Sequence, residues 1–257
     1  MRAIWTGAIG FGLVNIPVKL YSATQSSSLD LDMLDKKDHS NIKFQRVNEK
    51  TGKEVAWENI VKGYKYNGDY VILTDEDFQK ASPEKSKVIE IAQFVKQEEI
   101  DTIFYETPYY LEPEKTGAKA YALLRDALEK SGKVALGTYV MRTKEAIGLI
   151  KPMGNVLVLN KIRFAEEIRN FEDLKIPEDV AKPAELKMAL ALIDQLSGPF
   201  AIENYVDTYT AELMKVIEAK ATGKKVKTPE MKVVHSKSAD LMEQLKASLS
   251  SGKRKAS

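Results

Sequence analysis

Histidine, the side chain most often recruited as a base or metal ligand near neutral pH, occurs twice in this chain, at His39 and His235. The two lie in polar surroundings, far apart, without ligand-type neighbours at helical spacing. That pattern argues against an imidazole metal site or a His-activated nucleophile. Lysine follows glycine at Gly52, Gly132, Gly223 and Gly252, but each pair lacks the upstream glycine and the hydroxyl of a phosphate-binding loop. Gly10-Phe11-Gly12 lacks the third glycine and following helix of a dinucleotide fingerprint. Neither a Gly-x-Ser-x-Gly elbow nor a Lys-x-Asp-Gly adenylation signature occurs. The carboxylate runs Asp75-Glu76-Asp77 and Glu98-Glu99 fit helix capping and solvation better than acid–base work. No catalytic residue, metal ligand or cofactor is assigned; the expected activity is binding.

Binding features are better represented. Lys36, Lys37, Lys43, Arg46, Lys53, Lys62 and Lys65 interleave with Phe44, Trp57, Tyr64 and Tyr66. Cations along an extended segment can follow a row of phosphates. The aromatics are expected to pack beneath a hairpin; the alternative is that they stack single-stranded bases in a positive groove. Arg142 and Lys144 flank a turn from which both would project. Charge comes in blocks although the net charge is only +2. From Lys36 to Lys65 there are eight basic against four acidic residues, and from Lys133 to Arg163 six against one. Folding can gather such blocks on one surface facing a polyanion.

The elements that must position these residues follow from periodicity. The stretch IWTGAIGFGLVNIPVKLYSAT, residues 4–24, reads as strand, bend, strand. Its apolar part is interrupted by Gly7, Gly10 and Gly12 and closed by Asn15, Pro17 and Lys19, so a buried strand pair is expected rather than a secretory signal. Residues 42–47 read as an extended arm, Lys50-Thr51-Gly52-Lys53 as a turn, and Val55 and Trp57 as its return. Tyr70 to Leu73 reads as a strand leading to Thr74, which caps a short helix from Asp75 to about Lys80. Strands are expected at Val88–Val95 and Thr102–Tyr105, and a helix at Gly117–Lys130. A meander follows: Val134–Met141, Ala146–Ile150 and Val156–Phe164, with turns at Thr143-Lys144 and 152–155.

Helices dominate thereafter. One starts at Pro183 with Leu186, Leu190, Ile193 and Leu196 in phase; a second runs from about Glu203 to Ala221 with Tyr205, Tyr209, Leu213, Val216 and Ile217 on one stripe. A lysine-rich linker containing Pro229 leads to a short amphipathic helix, Ala239–Leu249. The chain is therefore α+β. It has no cysteine, which excludes disulfides and zinc–thiolate sites. No apolar run approaches the ~18 residues of a membrane span.

In their order, these segments resemble the bacterial Ku family. The resemblance rests on IWTGAIGFGLVNIPVKLYSAT, RVNEKTGKEVAWENIVKGYKY (Arg46–Tyr66), YVILTDEDF (Tyr70–Phe78), TPYYLEPEKTGAKAYALLRDAL (Thr107–Leu128) and KVALGTYVMRTKEAIGLIKPMGNVLVL (Lys133–Leu159). It implies a β-barrel core, an arm bridging over DNA and a helical arm embracing a second subunit. It further implies a ring-shaped homodimer that threads onto duplex ends and recruits an ATP-dependent end-joining ligase in the cytoplasm, at the nucleoid.

Residue by residue, the resemblance places the bridge at about 22–66 within a core of 1–182. Lys36, Lys37, Lys43, Arg46, Lys53, Lys62 and Lys65 become phosphate contacts, and Arg142 and Lys144 stand on a hairpin facing the duplex. Dimerisation falls to 183–224. The ligase contact falls in 225–257, where Leu241, Met242, Leu245 and Leu249 either dock the ligase or pack on their own domain. Gly10 stands where relatives often carry serine. The tail holds only Lys253, Arg254 and Lys255 where some relatives carry a long lysine-rich extension, so a bridging role tied to that extension is not carried over.

Overall fold

The computed structural model describes residues 1–81, 87–142, 144–177, 180–224 and 241–252. Thr143, the linker 225–240 with Pro229 and His235, and the tail lysines lie outside them. The chain divides into two compact units, Met1–Ser26 with Leu31–Asn170, and Ser27–Asp30 with Phe171–Ser257.

The first unit begins with the expected strand pair, β1 (Trp5–Phe11) and β2 (Val14–Ser22), turned at Gly12 with φ 58°, a left-handed conformation that glycine adopts without strain. Much farther along come a hairpin, β3 (Lys62–Tyr66) and β4 (Asp69–Leu73), and a short helix, α1 (Asp75–Ala81). Thr74 and Asp77 make the capping exchange that their spacing predicts: the Thr74 N–H donates to the Asp77 carboxylate at 2.9 Å. Then follow β5 (Val88–Lys96), β6 (Tyr105–Pro113), α2 (Ala118–Ser131), β7 (Lys133–Met141), β8 (Lys144–Met153) and β9 (Val156–Ile162).

Seven of the described strands close a barrel in the order β1-β2-β6-β9-β8-β7-β5, so no long edge is left unpaired. All pairings are antiparallel except the closing one, where Ala8, Ile9 and Gly10 run parallel to Val88, Ile89 and Glu90. Alternation along the strands sends Ile9, Ile16, Val18, Leu20, Leu111, Tyr139, Leu157 and Leu159 into one core, and α2 adds Tyr121, Leu124 and Leu128. The Tyr121 hydroxyl donates to the Leu111 carbonyl (2.7 Å) and accepts from the Leu157 N–H (2.6 Å). Leu111 and Leu157 are register partners on β6 and β9, so one phenol ties the helix to both strands.

The second unit carries α3 (Pro183–Leu196), α4 (Thr208–Ala221) and α5 (Leu241–Gly252). Pro183 opens α3 at its first turn, where its missing N–H costs nothing. No residue of α3 or α4 is buried in the single chain.

Three expectations need correction. Thr102–Phe104 is a 3-10 turn rather than a strand, because the Asp101 carboxylate accepts from the Ile103 N–H at 2.9 Å and bends the chain there; the strand starts at Tyr105 and runs to Pro113. The helix expected from Glu203 starts at Thr208, because Asp207 caps it by accepting from the Thr210 N–H at 3.0 Å, and Tyr205 is left outside it. Lys144 belongs to β8 rather than to the preceding turn.

Candidate nucleic-acid interface

Between β2 and β3 the chain has little regular pairing. Two small loops, each closed by one bridge, project the cations: Leu34 opposite Asn41, and Val47 opposite Glu54. Lys36 and Lys37 ride the first loop. The Asp35 carboxylate takes the Lys37 N–H at 2.8 Å, and His39 enters the left-handed region with φ 59°. Lys43 and Arg46 stand on the segment between the loops, which has no regular pairing. Lys53, with Lys50 beside it, stands on the second loop. That loop is held by the Asn48 side chain, which accepts from the N–H groups of Lys50 and Thr51 at 3.0 Å, and by Gly52 at φ 65°.

The β3–β4 hairpin turns on Asn67 and Gly68, with φ 51° and 101°, as a two-residue turn of matching twist requires. Tyr64 faces Val71 across it and Lys65 faces Tyr70. Lys62 and Lys65 are three residues apart on β3, so they point to opposite faces of the hairpin. A single duplex cannot lie against both through one face.

All nine basic residues are exposed. Among the described residues none of them is held by an ion pair or a side-chain hydrogen bond. Two instead lie over rings: the Arg46 guanidinium 4.5 Å from the Trp57 centre, and the Lys62 ammonium 4.7 Å from the Phe78 centre. Phe44, Trp57, Tyr64 and Tyr66, expected to pack beneath a hairpin, are instead exposed, Phe44 at 79% and Trp57 at 72%. The hairpin has only two strands and α1 is two turns long, so the arm offers no layer to cover four large rings.

Arg142 and Lys144 stand on the barrel itself, at the β7–β8 turn, where Arg142 takes φ 61°. They border one cavity together with Lys161 of β9, which belongs to the Lys133–Arg163 basic block but was not singled out as a contact residue. In the second unit α5 packs against α3; Met242, Leu245 and Leu249 are half-buried and Leu241 remains exposed. No group of three or more His, Asp or Glu gathers as a metal site among the described residues. No described helix is long and apolar enough to cross a membrane.

The described residues thus define an α+β protein, a closed seven-stranded barrel that carries a long, exposed cationic arm. The family model described as the Ku70/Ku80 β-barrel domain matches residues 10–188. Proteins named Non-homologous end joining protein Ku are similar over most of their length. The one from Pseudomonas aeruginosa is 40% identical across 94% of this chain and 85% of its own; that from Coxiella burnetii is 38% identical across 96% and 94%. A third, from an Anaeromyxobacter species, is 41% identical across 99% and 87%. The chain belongs to the Ku family.

Proposed function

We propose that two copies of this chain form a ring that slides onto ends of double-stranded DNA without regard to sequence, and that the ring recruits and stimulates an ATP-dependent DNA ligase during non-homologous end joining. The observation that carries this reading is the arm. Eight exposed cations, free of ion pairs among the described residues, stand on 30 residues that leave the barrel. Lysine and arginine contacts to phosphate supply affinity but carry no base information. Selectivity for ends must then come from a closed passage that only a terminus can enter.

The second copy is supported by apolar surface. Leu186, Leu190, Ile193 and Leu196 form an exposed stripe on α3, and Leu31, Met33 and Phe44 are exposed on the arm. An exposed apolar stripe along one helix face is the usual mark of a protein partner. The protein works by binding rather than catalysis, in the cytoplasm at the nucleoid. The ligase contact is assigned to the segment beyond Thr228, where, among the described residues, Leu241 is exposed and Met242, Leu245 and Leu249 are half-buried beside it. Deleting α5 should abolish ligase stimulation while DNA binding persists.

Sedimentation of the free protein and of its mixture with blunt duplex tests the assembly. Two 28.8 kDa chains per duplex end are expected; a single chain bound to DNA would end the ring reading. Exposed Trp57, Tyr64 and Tyr66 favour a second reading, binding of single strands by base stacking. Single strands that displaced the protein from blunt duplex would establish it.

A further inference from the structure

The β3–β4 hairpin is a sheet of its own, and among the described residues no third strand pairs with it. A two-stranded sheet is marginal in water without a further strand or a covering layer. Its two edges are not alike. On β3 stand Lys62 and Lys65, charges of the kind that keep a foreign strand away. The β4 strand reads Asp-Tyr-Val-Ile-Leu, with its one charge at its first residue. Tyr70, Val71 and Ile72 are all exposed, Tyr70 at 71%. An apolar edge without such charges is a template for another strand.

The register fixes which backbone groups that edge offers. Tyr66 and Asp69 flank the two-residue turn and exchange hydrogen bonds, as do Tyr64 with Val71 and Lys62 with Leu73. The N–H and C=O groups of Tyr70 and Ile72 therefore point away from β3, to the open side. An antiparallel β4 from a second copy uses all of them in one register, with Tyr70 opposite Ile72 of the second copy and Val71 opposite its own counterpart. Sliding the strands by one pleat either way loses bonds. One direction calls on Gly68, which sits in the turn at φ 101°. The other calls on Thr74, whose N–H already donates to the Asp77 carboxylate at 2.9 Å. In the register that remains, Asp69 lies opposite Leu73, so no like charges meet, and an aromatic ring faces a β-branched side chain at Tyr70 and Ile72.

We propose that β4 is where the arms of two copies meet: the hairpins join edge to edge through β4 about a two-fold axis and form one four-stranded sheet. A two-fold contact must present the same residues from both sides. The β4 strand does so without opposed charges or a wasted backbone group, and this favours a second copy over an unrelated strand. The lysine-bearing β3 edges become the outer edges of the joined sheet and stop further addition. The inference rests on the ring reading above and deepens it by naming the contact between the arms.

The chain has no cysteine, so a single introduced thiol reads the contact. In the proposed register Val71 faces its own copy in a non-hydrogen-bonded pair, with Cα atoms ~4.5 Å apart, a separation that a disulfide spans. Tyr70 lies diagonally from its copy, ~7–8 Å away and too far to be bridged. Mild oxidation of full-length Val71→Cys, free and with blunt duplex, should shift most of the protein from 28.8 kDa to twice that mass on a non-reducing gel. Tyr70→Cys should not shift. Adding Ile72→Pro to Val71→Cys should abolish the cross-link, because it removes an outward N–H that the hairpin itself does not use. Adding Gly63→Pro, which removes the matching N–H from the β3 edge, should leave the cross-link in place. Absence of the Val71→Cys cross-link with and without duplex overturns the contact; if sedimentation still finds two chains on a duplex end, the ring stands and is joined elsewhere. A cross-link in a protein that binds closed circles as tightly as linear duplex refutes the ring and leaves the contact standing. Equal cross-linking of Tyr70→Cys and Val71→Cys, or a cross-link that survives Ile72→Pro, overturns the proposal.

Discussion

The guanidinium of Arg46 lies 4.5 Å from the centre of the Trp57 ring, although both side chains stand on an arm with almost no regular pairing. The ring holds in place a cation that would otherwise sweep a wide arc. An interaction of this kind at an exposed site contributes ~0.5–1 kcal/mol. Trp57→Ala should therefore weaken duplex binding roughly two- to fivefold and leave its salt dependence unchanged, because the charge remains. Titrations at several salt concentrations check this. A changed slope would mean that Trp57 does not act through Arg46.

Removing charge should behave differently. Replacing Lys36, Lys37, Lys43 and Arg46 together by alanine should flatten the plot of log K against log salt by about 0.9 for each phosphate no longer neutralised. Affinity should drop equally for duplexes of unrelated sequence, since phosphate contacts carry no base information. A drop confined to one sequence would place these residues at base edges.

Within the barrel, Tyr121→Phe strands the Leu111 carbonyl and the Leu157 N–H, both now bonded to the phenol. Each unsatisfied buried group costs ~1–3 kcal/mol. Calorimetry should show a melting temperature several degrees lower, with DNA affinity unchanged below the transition. An unchanged melting temperature would mean that the strands re-pair without the helix.

Acid should loosen the second unit at one identifiable place. The Thr210 hydroxyl and N–H hold the Asp207 carboxyl below its usual range. Because the folded value lies below the unfolded one, the cap stabilises α4 at pH above the ordinary value of 3.8 and is lost as pH falls through the folded value. Asp207→Asn keeps an oxygen at the cap without the titrating proton. Its helicity, followed by circular dichroism from pH 6 to 2, should fall less than the parent's. Identical curves would remove Asp207 from the acid response.

The barrel was legible where strands alternate cleanly and are joined by short turns, as in 133–162. It was not legible at Tyr105–Pro113, where Pro108 and Pro113 each remove an N–H and argue against a strand, nor at the closing pair, where Ala8 meets Val88 across a long sequence gap. Asn67-Gly68 was a readable hairpin signal that went unused. The candidate cations were all legible as residue types. What sequence left open was their direction: Lys62 and Lys65 look alike until the β3–β4 register puts them on opposite faces. The aromatics were misread because coverage depends on which layers surround the arm, and periodicity within one segment does not report that. Tyr139 reads as an ordinary core tyrosine; only three-dimensional packing shows that its hydroxyl has no hydrogen-bond partner among the described residues.

The most direct measurement compares the binding of one DNA sequence as a blunt linear duplex and as a covalently closed circle, at the same salt. A passage enclosed by two copies predicts tight binding to the linear form, little to the circle, and full recovery once the circle is cut at a single site. Equal affinity for the circle and the linear form would contradict it.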